Sequence, residues 1–477
     1  MKNYIGQSFW LTALVLLLLT SLSFLPKNIS FGDWQGRQMD IFADARSTEL
    51  PAWSPDTTAG LLPDTLNLMR PDTLSMDSTG LSDSLIVRGP LPPVDSMFFG
   101  TTIEDYTQDQ QGLSHFFAAI DSIRSNRHTV RVAFFGDSFV EGDILIGDLR
   151  DSLQSVWGGA GVGFVPITSE VAQFKRTLKH IYRGWKTYSI VKDRDAKVPF
   201  GINGFVYQPE PEAKVHYEGA DYFKHTRRWS RVRLFYSAGH DTPFIWQNGG
   251  NGPQQDVLKA GAGRINAWTW GLAQPDIRAF AVRFPQTDSL LLYGATLESG
   301  PGFYIDNFSV RGNTGGPLKR IRTDMARQFD RFQQYDLIII QVGLNAVTNS
   351  LNNIKWYQAE LDRTFDHLHA CFPGKAVLVV SVGDRAGKIG NELATMISVP
   401  YIVGMQRDMA RKHGFLFYDL FHGMGGPGSM ITMANHKPML ANKDYTHLTH
   451  DGGRVVGYMF ARLFLQEQAR YQTKKLE

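Results

Sequence analysis

One stretch of this chain restricts its fold more than any other. Val130-Arg131-Val132-Ala133-Phe134-Phe135 is a short run of β-branched and aromatic residues, as in a buried strand. It closes on Gly136-Asp137-Ser138-Phe139-Val140-Glu141-Gly142-Asp143, and the spacing then turns helical. Ile144, Leu145, Leu149, Leu153 and Val156 share one helical face. A strand that turns into a helix puts Ser138 at the C-terminal edge of a sheet. Its hydroxyl is then exposed beside helix N–H groups that can receive an oxyanion. Gly-Asp-Ser is nonetheless a common tripeptide, and an ordinary turn with Ser as helix N-cap fits it equally.

Two further segments carry the same kind of signal. Tyr335-Asp336-Leu337-Ile338-Ile339-Ile340-Gln341-Val342 reads as a second buried strand and ends in Gly343-Leu344-Asn345-Ala346. An Asn just past a strand can aim its NH2 into a cleft at the sheet edge, or serve as a polar turn residue. Asp444-Tyr445-Thr446-His447-Leu448-Thr449-His450-Asp451-Gly452-Gly453-Arg454 precedes an apolar helix expected at about 455–466. Asp and His three apart can lie on one side of the chain, the carboxylate accepting from one imidazole nitrogen and the other nitrogen facing a serine. His450 has no Asp three residues before it and reads as a solvated helix-start residue.

Together Gly136-Asp137-Ser138, Gly343-Leu344-Asn345 and Asp444-Tyr445-Thr446-His447 resemble the SGNH (GDSL-type) hydrolases, in that family's chain order. Ser381-Val382-Gly383-Asp384-Arg385 and His436-Lys437-Pro438 resemble exported Bacteroidetes members similar to peptidoglycan O-acetylesterases. The resemblance covers about residues 127–185 and 302–465. It implies an α/β fold, a three-layer α/β/α flavodoxin-like parallel sheet. It also implies Ser138 as nucleophile, His447 as general base and Asp444 as its orienting carboxylate. The oxyanion would be held by the Ser138 and Gly312 N–H groups and the Asn345 side chain. Gly312 lies in Ser309-Val310-Arg311-Gly312-Asn313-Thr314-Gly315; the rival is Gly158-Gly159-Ala160-Gly161-Val162-Gly163, otherwise a flexible loop closing the preceding helix. This chain has Gly-Leu-Asn-Ala where many relatives have an acidic residue after the Asn. No metal or organic cofactor is required, and His128, His180, His216 and His225 lack ligand spacing.

Residues 186–300 change character. Arg231-Val232-Arg233-Leu234-Phe235-Tyr236 and Ile277-Arg278-Ala279-Phe280-Ala281-Val282-Arg283-Phe284 alternate with period two, and Ser289-Leu290-Leu291-Leu292-Tyr293-Gly294-Ala295 is also strand-like. The expectation is an inserted β-sandwich, resembling carbohydrate-binding modules carried by cell-wall esterases of the superfamily. Trp229, Trp246, Trp268 and Trp270 are either sugar-stacking faces or sandwich core. Trp268 and Trp270 share a face if they lie on a strand.

Between Lys2 and Lys27 there is no charged residue. Residues 1–27 therefore read as an uncleaved membrane anchor or a cleaved signal segment. Residues 28–100 read as a linker, rich in Pro, Asp, Ser and Thr over 48–96. The hydrolase domain is expected over 101–185 and 301–477. The protein is expected in the cell envelope, anchored in the inner membrane with a periplasmic catalytic domain, or secreted to the periplasm. The single cysteine, Cys371, rules out an intramolecular disulfide. With 49 basic and 46 acidic residues, a net charge of +3 gives no reason to expect nucleic-acid binding. The expected activity is removal of an acyl group, O-acetyl above all, from an extracytoplasmic glycan such as peptidoglycan. The alternatives are glycan O-acetyltransfer by the same triad and glycan binding without catalysis.

Overall fold

The computed structural model describes residues 101–476, apart from 127, 250, 251, 262 and 275, together with residues 30, 31, 34 and 35. The chain divides into two units, Met1–Met76 and Asp77–Glu477. In the first, β1 (Ser30–Phe31) pairs antiparallel with β2 (Trp34–Gln35). The expected anchor or signal at 1–27, and the linker beyond that hairpin, lie outside the described residues. Among the described residues no helix is long and apolar enough to cross a membrane.

The second unit is built on a six-stranded sheet. Its strands are β3 (Ile103–Asp105), β4 (Thr129–Gly136), β14 (Gly302–Ser309), β15 (Leu337–Gln341), β16 (Ala376–Val380) and β19 (Leu416–Tyr418), in spatial order β14-β4-β15-β16-β19-β3. All neighbours run parallel except β3, which is antiparallel to β19. Every residue of β15 is buried, as a strand covered on both faces must be. The helices fall into two packed groups. One comprises α1 (Ser114–Asn126), α2 (Ile146–Trp157) and α8 (His450–Leu476); the other comprises α3 (Thr323–Gln333), α4 (Ile354–Cys371) and α5 (Ser398–His413). Short helices α6 (Leu420–Gly423) and α7 (Ser429–Asn435) lead into the loop before α8.

Helix α8 lies against the chain entering α2 because Gly453 lets it, and against the loop that precedes it because Gly452 does. A Cβ at Gly453 would sit 2.0 Å from the Ile144 carbonyl oxygen, and one at Gly452 would sit 1.7 Å from that of Leu440. No larger residue fits at either contact. The approach brings the start of α8 beside the segment that follows β4.

The inserted region forms a separate antiparallel sheet of nine strands. These are β5 (Gly161–Val165), β6 (Leu178–Ser189), β7 (Phe205–Gly219), β8 (Arg231–Ala238), β9 (Thr242–Asn248), β10 (Gln254–Leu258), β11 (Asn266–Gly271), β12 (Ala279–Phe284) and β13 (Leu290–Glu298). Antiparallel pairing therefore starts at Gly161, ahead of residue 186, because β5 pairs with β13 and β6 with β7. The sandwich expectation also needs adjustment. The strands form one branched sheet, in which β7 and β13 pair through Leu292 and Tyr207. The two halves on either side of that joint share one apolar cluster, including Val215, Val232, Phe244 and Phe280.

The tryptophans belong chiefly to that core. Trp229 is fully buried, and Trp246 packs its ring against Trp268, Trp270 and Phe280. Trp268 and Trp270 share a face of β11 and are half-buried against this cluster.

A buried ionic network joins the two sheets. Arg131 of β4, 2% exposed, pairs with Glu298 of β13 and, at 3.0 Å, with Asp306 of β14. Asp306 also accepts from the Phe164 N–H at 2.9 Å, Gln333 at 3.0 Å and Tyr335 at 3.0 Å. Arg231 of β8 reaches the second oxygen of Glu298 at 2.9 Å. Two carboxylates thus share one cation fully enclosed by protein, and every partner is hydrogen-bonded, as buried charge requires.

Candidate active site

The register of the parallel sheet determines which loops meet. Gly136 at the end of β4 stands level with Ser309 of β14 on one side and Gln341 of β15 on the other. Ser138 follows Gly136 by two residues, Gly312 follows Ser309 by three, and Asn345 follows Gln341 by four. All three segments therefore emerge at one point on the C-terminal edge of the sheet.

Ser138 sits in a turn, half-buried, with α2 starting only at Ile146. The expected direct junction of turn and helix is replaced by a 3-10 turn, Glu141–Asp143, in which Gly142 (φ +70) and Asp143 (φ +60) reverse the chain. The first N–H groups of α2 thus stand well beyond Ser138 and are not beside its hydroxyl. Asp143 holds the turn in place. Its carboxylate takes Thr177 at 2.8 Å, Asn307 at 2.9 Å and Arg150 at 3.4 Å. Burial opposes ionisation there, but the Arg150 and Lys175 charges and these hydrogen bonds hold the carboxyl well below the usual range.

The third segment meets this turn from the other end of the chain. Ser138 Oγ and His447 Nε2 are 2.9 Å apart, across 309 residues of sequence. On the far side of the ring, His447 Nδ1 stands 2.7 Å from Asp444 Oδ2. The other carboxylate oxygen, Oδ1, accepts the N–H groups of Thr446 at 3.0 Å and His447 at 3.1 Å. Burial raises the Asp444 carboxyl, but these bonds outweigh it and leave the group below its ordinary value. With Nδ1–H given to Asp444, the free lone pair of Nε2 faces the Ser138 hydroxyl. The dyad is open to water: the His447 and Asp444 side chains are 39% and 49% exposed.

Gly312 is half-buried in the turn after β14, and Asn345 is exposed in the 3-10 turn after β15. Asn345 Nδ2 donates to the Asn313 carbonyl at 3.2 Å, which joins these two loops and leaves its second N–H unused by that bond. The rival glycine run is excluded from the site. Gly161 and Gly163 lie in β5, and a Cβ on Gly161 would meet the Leu297 carbonyl oxygen of β13 at 2.2 Å.

Several neighbours escaped notice in the sequence. Asp137 is fully buried beneath the nucleophile turn, and its Oδ1 accepts the Phe139 N–H at 2.9 Å. Burial pushes this carboxyl up to about 7, against the pull of the Phe139 and Leu344 N–H groups and of His447. Asn313, also fully buried, braces the Gly312 loop by accepting the Gly315 N–H at 2.9 Å. Its position next to Gly312 was the available signal; nothing in Gly-Asp-Ser distinguishes a buried Asp from a solvated one. His450 begins α8 half-buried, where desolvation and the Arg176 charge pull its imidazole down to about 4. It is not the solvated residue that the sequence suggested.

No family model matches the sequence and no curated protein matches it. Solved structures do. A peptidoglycan O-acetylesterase structure aligns with a TM-score of 0.63 at 19% identity, covering 77% of this chain and 99% of that one. An acetyl xylan esterase, AlAXEase, aligns with a TM-score of 0.26 at 15% identity, covering 33% of this chain and 79% of that one. The acetylxylan esterase Axe2 from Geobacillus stearothermophilus aligns with a TM-score of 0.25 at 18% identity, over 34% of this chain and 73% of that one. The first alignment establishes a shared fold along nearly the whole of the other chain.

Proposed function

We propose that this protein is a serine esterase of the SGNH type that removes an acyl group, O-acetyl first of all, from a glycan such as peptidoglycan. The observation that carries the proposal is the relay Ser138 Oγ–His447 Nε2 at 2.9 Å and His447 Nδ1–Asp444 Oδ2 at 2.7 Å. Two weaker lines support it. The parallel strands, counted in chain order, run 2-1-3-4-5 across the sheet, the flavodoxin-like order. The fold is also shared with a protein named as a peptidoglycan O-acetylesterase.

In this mechanism Ser138 Oγ attacks the ester carbonyl carbon while its proton passes to His447 Nε2. The negative oxygen is held by the Ser138 and Gly312 N–H groups and by Asn345 Nδ2. Collapse breaks the bond to the sugar oxygen, which takes the proton back from His447. Water then repeats the sequence on the acyl-serine, and acetate leaves. Asp444 orients the imidazole and stabilises its charged form without taking the proton. The exposure of His447 and Asp444 favours water as acceptor over a sugar hydroxyl, since transfer needs water kept out. The uncharged stretch between Lys2 and Lys27 supports export to the cell envelope.

The test is acetate release by the full-length protein from O-acetylated peptidoglycan fragments and from 4-nitrophenyl acetate, beside Ser138→Ala. The proposal expects release from both and its loss in the variant. Release that survives Ser138→Ala, or no release from any glycan ester, refutes it.

A further inference from the structure

We infer that the loop between β5 and β6, which the antiparallel sheet contributes, forms one wall of the acyl-glycan cleft, with the Phe174 ring as a stacking platform for a sugar. The inference rests on the esterase reading and adds to it the means by which the polymer is recognised.

The placement comes first. This loop touches the nucleophile turn and the start of α8. On one side Val171 packs over Gly142, four residues beyond Ser138; a Cβ on Gly142 would lie 3.5 Å from Val171 Cγ2. On the other, the Phe174 backbone lies close enough to the His450 ring, three residues beyond His447, to favour its charged form. Thr177, at the loop's end, anchors it to Asp143 at 2.8 Å. The loop is thus fixed at three points around the Ser138–His447 contact.

The character of the surface comes second. The Phe174 side chain stands 54% exposed although it is fully apolar. Beside it in sequence stand the polar Gln173, Lys175 and Arg176 and the half-buried Val171 and Ala172, with Gln173 and Glu170 exposed. A membrane or a protein partner calls for a contiguous apolar patch. One aromatic ring set among hydrogen-bonding side chains suits a sugar, which offers an apolar C–H face ringed by hydroxyls. The tryptophans of the insert, by contrast, spend most of their area in its core.

The test compares Phe174→Ala, Phe174→Leu and Phe174→Tyr in the full-length protein, with O-acetylated peptidoglycan disaccharide and 4-nitrophenyl acetate as substrates. Stacking predicts that the ratio of kcat/KM on the glycan ester to that on the small ester falls about 3- to 10-fold in Phe174→Ala. The fall should appear mainly in KM, occur equally in Phe174→Leu, and be reversed by Phe174→Tyr. A ratio that holds through the series, or one that Phe174→Leu preserves, overturns the stacking role while the esterase reading stands. Wild-type protein that cleaves the small ester but no glycan ester overturns both.

Discussion

The exchange Asp444→Asn tests how the imidazole is held, and the structure gives its size. Asp444 Oδ1 accepts two backbone N–H groups, from Thr446 and His447. In the amide the single oxygen must keep that place, so the NH2 faces His447 Nδ1. It then donates where the carboxylate accepted, and the proton moves to Nε2. That tautomer cannot take the Ser138 proton. Restoring the active tautomer means turning the amide and giving up two backbone hydrogen bonds, about 2 kcal/mol, or roughly 30-fold in population. Losing the charge opposite the imidazolium adds about 1 kcal/mol more. The expected loss in kcat is on the order of 10². Asp444→Ala has no such conflict. At 49% exposure, water can enter the vacated space and accept from Nδ1, so its loss should be the smaller, about 10-fold. The assay is kcat on 4-nitrophenyl acetate for both variants, with circular dichroism to establish folding. A larger loss in Asp444→Ala than in Asp444→Asn would refute the tautomer argument.

Other outcomes follow from the same contacts. Asn345→Ala should lower kcat about 10²-fold with the thermal midpoint nearly unchanged, because its side chain is exposed; full activity would remove Asn345 from the oxyanion site. Asp137 keeps its proton in the fold up to about pH 7, whereas the unfolded chain loses it near 3.8. Unfolding therefore releases a proton in that window, and this group's contribution to stability falls as pH rises through it, by on the order of 4 kcal/mol. Denaturant midpoints of wild type and Asp137→Asn between pH 4 and 7 should diverge accordingly, and parallel curves would contradict the assignment. Arg131→Met strands Asp306 and leaves Glu298 only its half-exposed partner Arg231; the cost should be about 3–5 kcal/mol, read as a lower calorimetric midpoint. Gly453→Ala drives a methyl into the Ile144 carbonyl, so activity should fall with stability as α8 is displaced from the nucleophile turn.

Ser138 and Asn345 are legible because each follows a strand with an apolar run, whereas Asp444 and His447 are marked by their spacing of three and the apolar helix after them. β15 is almost wholly apolar and β4 is apolar apart from Thr129 and Arg131, and the turn after each is short. What could not be read was anything set by tertiary approach. β5 is written Gly161-Val162-Gly163-Phe164-Val165 and passes for a loop, since glycine lacks the side chain that marks a strand. Gly161 is there because β13 comes so close, and Gly163 because β14 does. The sequence consequently reads as hydrolase domain through residue 185, Phe174 included, although β5 and β6 pair in the antiparallel sheet. His450 was misjudged for a related reason: its neighbour in space, Arg176, is 274 residues away in sequence. The four tryptophans show the opposite effect. Composition leaves them as sugar-stacking faces or sandwich core, and the packing decides chiefly for core.

The Arg131–Glu298–Asp306 network means that the antiparallel sheet is not a module swinging on a tether. Separating it from the parallel sheet would break the pair between Arg131 and Glu298 and uncover the apolar surface packed around it. On the proposed reading, the wall that carries Phe174 therefore keeps its distance from Ser138, and the enzyme would select a polymer by width rather than by closing on it.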